Sequence, residues 1–153
     1  MNTQKKELAV AALENGTVID RIPSEHLFKV VSMLGLDKFT NSITIGNNLS
    51  SQKIGKKGII KVADYFFKEE EMNKIALIAP EAKINIIRDY QVVEKYTVTL
   101  DETLHGIVRC CNPKCISNNE PMETVFHVTQ RNPVKVTCHY CGHSMQGDDI
   151  TVC

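Results

Sequence analysis

Several features are scarce or absent in this sequence of 153 residues. It has no tryptophan, only four tyrosines and five phenylalanines, and a formal net charge of zero. A chain without excess positive charge does not bind a nucleic-acid backbone through electrostatic attraction alone. No apolar run approaches the roughly 18 residues of a membrane span. Residues 1–16 are polar and mixed in charge, without the apolar stretch of about 7–15 residues typical of signal peptides. We therefore expect a soluble, cytoplasmic protein without a nucleic-acid or membrane partner.

Catalytic motifs are absent as well. The sequence contains no glycine-rich phosphate loop of the Walker or Rossmann type. No nucleophile with a matching base and orienting group stands out, and isolated histidines such as His26, His105 and His127 are typical of core or surface positions. We therefore expect a protein that is not an enzyme.

What the sequence does have is six cysteines, most of them near its end. Cys138 and Cys141 form a Cys-x2-Cys pair followed by a glycine, which lets the backbone fold under a metal ion. Upstream, Cys115 pairs with either Cys110 or its neighbour Cys111. Two close pairs of thiolates predict one tetrahedral Zn²⁺ site, and four sulfurs leave no open position for catalysis. In the reducing cytosol such a cluster favours metal over disulfides.

Hydrophobic periodicity predicts an α+β protein with two unequal modules. In the first, a strand near 17–20, a helix from Ser24 to Leu34, strands near 42–49 and 59–67, a helix after Lys68 and one or two strands after Lys83 give the order β-α-β-β-α-β. That order is typical of a ferredoxin-like fold. The segment 50–58 is predicted to be a flexible connection.

The second module has few large apolar residues and needs a metal staple. Short strand candidates carry the cysteine turns, which predicts a small all-β zinc-binding domain of the rubredoxin or zinc-ribbon type. We place the boundary between domains 1–99 and 100–153. Residues 101–153 carry four basic and six acidic residues.

Lysines of the first module are the remaining candidates for binding. Lys61 and Lys95 lie in different predicted strands and, on a shared face, would suit an anionic ligand such as a triphosphate. The alternative is that they are solvated lysines at strand edges.

Motifs along nearly the whole chain resemble the regulatory chain of aspartate carbamoyltransferase. They include GTVID at 16–20 with Ile22-Pro23, ITIG at 43–46, Ala79-Pro80, and the segment 90–95, and they end in the Cys-x4-Cys and Cys-x2-Cys pairs. In that family the ligand spacing is four and then two, so the resemblance assigns the metal to Cys110, Cys115, Cys138 and Cys141.

The resemblance implies a non-catalytic regulatory subunit of pyrimidine biosynthesis. Its first domain is expected to bind CTP, ATP and UTP, and its zinc domain to dock on the catalytic chain. Regulatory dimers are expected to tie two catalytic trimers into a dodecamer. By position, the implied nucleotide-binding residues are Val10, Ala12, Leu13, Val18, Asp20, Arg21, Lys61, Asn85, Ile87, Tyr90, Val92 and Lys95.

The chain departs from well-studied members of the family at two positions of this region. Ala11 replaces a glutamate, and Arg21 replaces a histidine while keeping a cation near the expected phosphates. An alternative function, suggested by the cysteine pairs and the lysines of 53–61, is a zinc-ribbon nucleic-acid-binding protein. The net acidic metal module and the shortage of aromatic stacking residues argue against it.

Overall fold

The computed structural model describes residues 13–52 and 54–153. They divide into two compact units, with the division between Val98 and Thr99. In the described part of the chain, no helix has both the length and the apolar character needed to span a membrane.

The N-terminal unit contains a five-stranded antiparallel sheet and two helices. The elements in chain order are β1 (Gly16–Pro23), α1 (Leu27–Met33), β2 (Ile43–Ser51), β3 (Gly55–Ala63), α2 (Glu69–Ile78), β4 (Lys83–Arg88) and β5 (Gln91–Thr97). Short 3₁₀ turns at Ser24–His26 and Leu36–Lys38 flank the first helix. The strands follow the order β2-β3-β1-β4-β5 across the sheet. The first six strands and helices have the predicted ferredoxin-like order, and β5 extends the sheet beside β4.

One face of this sheet carries the core. Ile19, Ile60 and Ile84 lie opposite one another in β1, β3 and β4, and all three are fully buried. Helix α1 packs on the same face, since a Cβ atom at Gly58 would lie 2.7 Å from a methyl carbon of Leu27. Because side chains alternate along a strand, the residues directly before and after each of these isoleucines point to the other face of the sheet.

Residues at the start of α2 and at the end of α1 explain where these helices begin and end. Three glutamates fill the first turn of α2, where the helix dipole favours negative charge, and Glu71 accepts a hydrogen bond from the backbone N–H of Lys68. Helix α1 ends before Gly35, whose left-handed φ of 66° suits a residue without a Cβ atom. Apolar residues recur along α1 at helical spacing, and those on one face are buried. They are Leu27, Val30 and, at the C-cap, Leu34.

One local feature differs from the sequence-based expectation. The segment predicted as a loop at 50–58 belongs largely to strands, because β3 begins at Gly55 and pairs with β1 on one side and β2 on the other. After Lys83, where one or two strands were expected, there are two, β4 and β5, joined by a tight turn in which Asp89 and Tyr90 have φ values of 52° and 64°. Two consecutive positive φ angles are typical of a type I′ hairpin turn.

The C-terminal unit is built from short strands and one short helix. The elements are β6 (Thr103–His105), β7 (Val108–Arg109), α3 (Ile116–Asn119), β8 (Val125–Arg131), β9 (Val134–Cys138), β10 (Ser144–Gln146) and β11 (Thr151–Val152). A 3₁₀ turn at Gly147–Asp149 precedes the last strand. A four-stranded antiparallel sheet has the order β10-β9-β8-β6, and β7 pairs with β11 in a second, two-stranded sheet. The buried centre of the four-stranded sheet is formed by Leu104, Phe126 and Val136.

Candidate functional site: a four-thiol cluster and a polar sheet face

The turns of the C-terminal unit bring four cysteine sulfurs together. Cys110 follows β7, Cys115 precedes α3, Cys138 ends β9, and Cys141 lies in the turn after it. Their Sγ atoms all lie within 4.8 Å of one another. The Sγ atoms of Cys110 and Cys141 are 3.6 Å apart, and those of Cys115 and Cys138 are 3.7 Å apart.

These distances fit one tetrahedral zinc ion. Four sulfurs at about 2.3 Å from Zn²⁺ lie about 3.8 Å from one another, close to the separations of 3.6 and 3.7 Å in these two pairs. Three of the four cysteines are buried and only Cys141 is exposed. A closed set of four sulfurs is typical of a structural zinc site, since a catalytic one keeps a position for water.

Side-chain amides of α3 tie down the loop that carries the upstream cysteine pair. The Asn118 Nδ2 donates to the carbonyl oxygens of Cys110 at 2.9 Å and Asn112 at 2.8 Å. The Asn119 Nδ2 donates to the carbonyls of Pro113 at 3.0 Å and Cys115 at 2.8 Å. Two amide groups therefore hold four carbonyls of the loop, which fixes the backbone on either side of Cys110 and Cys115.

The environment changes the acidity of the thiols in opposite directions. Burial raises the pKa of Cys110 to about 12, although the backbone at Asn112 partly offsets this effect. The Ser117 hydroxyl, 3.1 Å from Sγ of Cys115, lowers the pKa of that thiol to about 7 against the effect of burial. Burial also raises the pKa of Cys138. A metal ion must therefore displace protons from the buried thiols, which makes its affinity dependent on pH.

The remaining two cysteines lie apart from this cluster. Cys111 is exposed, and its sulfur is not among the four that converge. Cys153 is also exposed, and its backbone N–H donates to the carbonyl of Ile107 at 2.9 Å. His139, between the two cysteines of the downstream pair, and His143, two residues after it, are exposed.

In the N-terminal unit, a row of side chains crosses the sheet on the face opposite the isoleucine core. Val18 of β1 is directly opposite Lys61 of β3 on one side and Asn85 of β4 on the other. Asn85 is in turn opposite Lys95 of β5. Directly opposed residues of antiparallel strands share a face, so Lys61 and Lys95 lie on the same side. Three strand spacings of about 4.8 Å separate the two lysines, a total of about 14 Å.

Several other predicted nucleotide-binding residues lie beside this row. Asp20 follows Val18 by two residues and forms an ion pair with Lys57 at 2.9 Å. Ile87 of β4 is directly opposite Val92 of β5, two pairs further along these strands and just beyond an irregularity in their register. The backbone N–H of Tyr90 donates to the carbonyl of Glu14 at 2.9 Å, which attaches the β4–β5 turn to the chain before β1.

Arg21 lies at an irregular point of β1, and the predicted residues nearest the start of the sequence precede the described part of the chain. Arg21 has a φ of 58° at a bulge of β1, between Ile19 and Ile22. Its backbone N–H donates to the Asp20 carboxylate at 2.7 Å. Leu13 is the first residue that the structure describes, so Val10 and Ala12 lie outside the described residues.

The sequence reasoning missed one cation on this face. Lys83 is directly opposite Asp20 of β1 and precedes Asn85 by two residues in β4. Alternation along β4 could have revealed it, because residues two apart share a face of a strand. Lys57, one of the lysines of 53–61, is joined to the same region by its ion pair with Asp20.

Comparison with known proteins identifies the family. Residues 8–99 match the model described as the aspartate carbamoyltransferase regulatory chain, allosteric domain, and residues 102–151 match the metal binding domain of the same regulatory chain. A regulatory chain from Bacteroides fragilis is 58% identical over 152 residues, covering 99% of both chains. One from Parabacteroides distasonis is 59% identical over 149 residues, covering 97% of each.

A third relative is less similar in sequence but matches over a comparable length. A regulatory chain from Pyrococcus horikoshii is 49% identical over 146 residues, covering 94% of this chain and 96% of its own length. Both domains and nearly the full length are therefore matched, and the predicted resemblance is confirmed: this chain belongs to the family of aspartate carbamoyltransferase regulatory chains.

Proposed function

We propose that this chain is the non-catalytic subunit that places a cytoplasmic aspartate carbamoyltransferase under the control of CTP and ATP, with UTP as a further ligand. Residues 1–99 bind the nucleotide, and residues 100–153 hold zinc and dock on the catalytic chain. Family membership supports this division, since its two descriptions name an allosteric and a metal binding domain. They favour a regulatory chain over a nucleic-acid-binding zinc ribbon.

The observation that carries the nucleotide proposal is the row from Lys61 to Lys95. Lys61 is 6% exposed and Val18 is 7% exposed, so this end of the row is largely shielded from water. Lys95 lies in a strand whose residues are all exposed. We assign the buried end to the ribose and base and the exposed Lys95 to the triphosphate, whose charge remains partly in water.

This assignment predicts different effects of the two lysines. Lys95→Ala should weaken CTP and ATP by about tenfold or more, as loss of a hydrogen bond to a charged group does, and should leave cytidine and adenosine nearly unchanged. Lys61→Ala should weaken nucleotides and nucleosides alike. Lys74→Ala, on α2, is the matched control.

Calorimetry on the zinc-loaded chain measures all of these affinities. Equal losses for CTP and cytidine in the Lys95 variant would remove that lysine from the phosphate role. Undiminished CTP binding in both lysine variants would contradict the proposal that the nucleotide binds on this face of the sheet.

For the second unit, we propose that zinc holds the surface that joins the catalytic chain. A regulatory dimer then links two catalytic trimers into a dodecamer. Sedimentation of the mixed subunits should show the large assembly with zinc present and free trimers after chelation, with readdition of zinc restoring the assembly. A large assembly that persists when zinc has been removed would contradict the proposal.

The same assembly tests the regulatory role. An effector changes a distant active site only by favouring one of two states, with a coupling free energy of typically about 1–3 kcal/mol. CTP is expected to favour the less active state, and ATP to compete with it. The aspartate saturation curve with and without CTP measures this coupling, and an unchanged curve at saturating CTP would leave the chain only a structural role.

A further inference from the structure

Two histidines outside the four-thiol cluster lie side by side on the C-terminal unit. His127 is in β8, and His139 follows the last residue of β9. The backbone N–H of His139 donates to the carbonyl of Val125 at 2.9 Å, which holds this residue against β8. The Nε2 atom of His127 lies 2.9 Å from the Nδ1 atom of His139.

The separation of these two nitrogens matches a defined coordination geometry. Imidazole nitrogens bind divalent transition metals at about 2.0–2.1 Å. Two such ligands at 90° lie about 2.9 Å apart, whereas tetrahedral ligands lie about 3.4 Å apart. The two rings are joined by a hydrogen bond at 2.9 Å, with one ring N–H donating to the other nitrogen. The same separation suits neighbouring positions of a square-planar or octahedral ion, the geometry preferred by Ni²⁺ and Cu²⁺ with nitrogen ligands. An ion that binds here displaces the proton of this hydrogen bond, so that both nitrogens become ligands.

The surroundings leave room for the other ligands of such an ion. His139 is exposed and His127 is partly exposed, so water can reach the space beside both rings and fill the remaining positions. The ring of Tyr140 meets the His139 ring edge-on, with centroids 5.2 Å apart, which restricts how the imidazole turns. The pair is thus accessible and partly preorganised.

We propose that His127 and His139 form a second metal site, on the surface and separate from the zinc cluster. It takes a late divalent transition ion with tetragonal preference through two imidazole nitrogens and water. Zinc remains with the four thiolates, because soft sulfur ligands hold it in a closed tetrahedral set.

Titration of the zinc-loaded full-length chain with Ni²⁺, followed by calorimetry in a non-coordinating buffer, tests the proposal. One saturable equivalent of Ni²⁺ is expected, with no zinc released. His127→Ala and His139→Ala should each weaken Ni²⁺ by at least about tenfold, since loss of even an outer-shell partner costs about 10–100-fold. His105→Ala is the matched control, because this histidine is exposed in the same unit and lies 3.4 Å from the Glu123 carboxylate.

A second measurement makes the result independent of the folding of the variants. Paramagnetic Ni²⁺ should broaden the ring signals of His127 and His139 in the unsubstituted chain before those of His105, and each variant should retain one zinc. Equal Ni²⁺ affinity with and without His127, the absence of saturable binding, or nickel uptake matched by zinc loss would each overturn the proposal.

Discussion

Replacing Cys110 or its neighbour Cys111 by serine tests which of the two sulfurs is the zinc ligand. Cys110 is buried with its Sγ 3.6 Å from that of Cys141, whereas Cys111 is exposed and outside the cluster. Serine keeps the size of the side chain but offers a weaker ligand for zinc. Cys110→Ser is therefore expected to lose zinc, while Cys111→Ser, the matched control one residue away, is expected to keep it.

The size of the effect follows from the number of ligands. Structural zinc in small domains contributes about 10–16 kcal/mol of apparent binding free energy. Shared among the four thiolates of the cluster, this is about 2.5–4 kcal/mol for each. Since about 1.4 kcal/mol corresponds to a factor of ten, Cys110→Ser should weaken zinc binding by about 60- to 700-fold. Cys111→Ser should change the affinity by less than about twofold.

Competition with a chromophoric chelator measures these affinities, and circular dichroism reports whether the C-terminal unit stays folded. The double variant with serine at both positions shows whether Cys111 replaces the missing ligand in the Cys110 variant. Zinc loss from the Cys111 variant together with full retention in the Cys110 variant would refute the assignment.

Three further predictions concern the same units. Alanine at Asn118 and Asn119 together should speed zinc release to a chelator by about tenfold or more, because these amides hold the upstream loop; unchanged release would contradict that role. Zinc affinity should rise with pH, since bound protons compete with the metal, and should rise more steeply below pH about 7, where Cys115 also carries a proton; chelator competition from pH 6 to 8 checks this slope. Gly58→Ala should destabilise the N-terminal unit by about 1–3 kcal/mol, as its Cβ meets Leu27 at 2.7 Å; urea unfolding with an unchanged midpoint would show that Leu27 moves aside at no cost.

Much of the fold was readable because its signals are local. The apolar stripe of Leu27 and Val30 and the glutamates before Met72 predict helices without knowledge of the rest of the chain. Short spacing within each cysteine pair predicts a metal turn for the same reason, and the comparisons and the geometry confirm one structural zinc site.

The polar stretch from Gly55 to Gly58 shows why other elements escaped prediction. Its residues give no strand pattern, yet they form the start of β3, because neighbours on both sides satisfy the backbone hydrogen bonds. The two-residue strand Thr151–Val152 pairs only with Val108–Arg109, so it has no signal of its own in the sequence.

The sequence by itself determined the two-unit α+β organisation, the zinc chemistry and the family, since each depends on residue types at fixed spacings along the chain. The tertiary structure decided which residues share a face. Lys61 and Lys95 are aligned through Val18 and Asn85, a row set by the register of four strands between residues 16 and 97. The pairing of His127 with His139 likewise needs β8 beside β9. Register is a non-local property, because a shift of one residue in any strand turns its side chains to the opposite face.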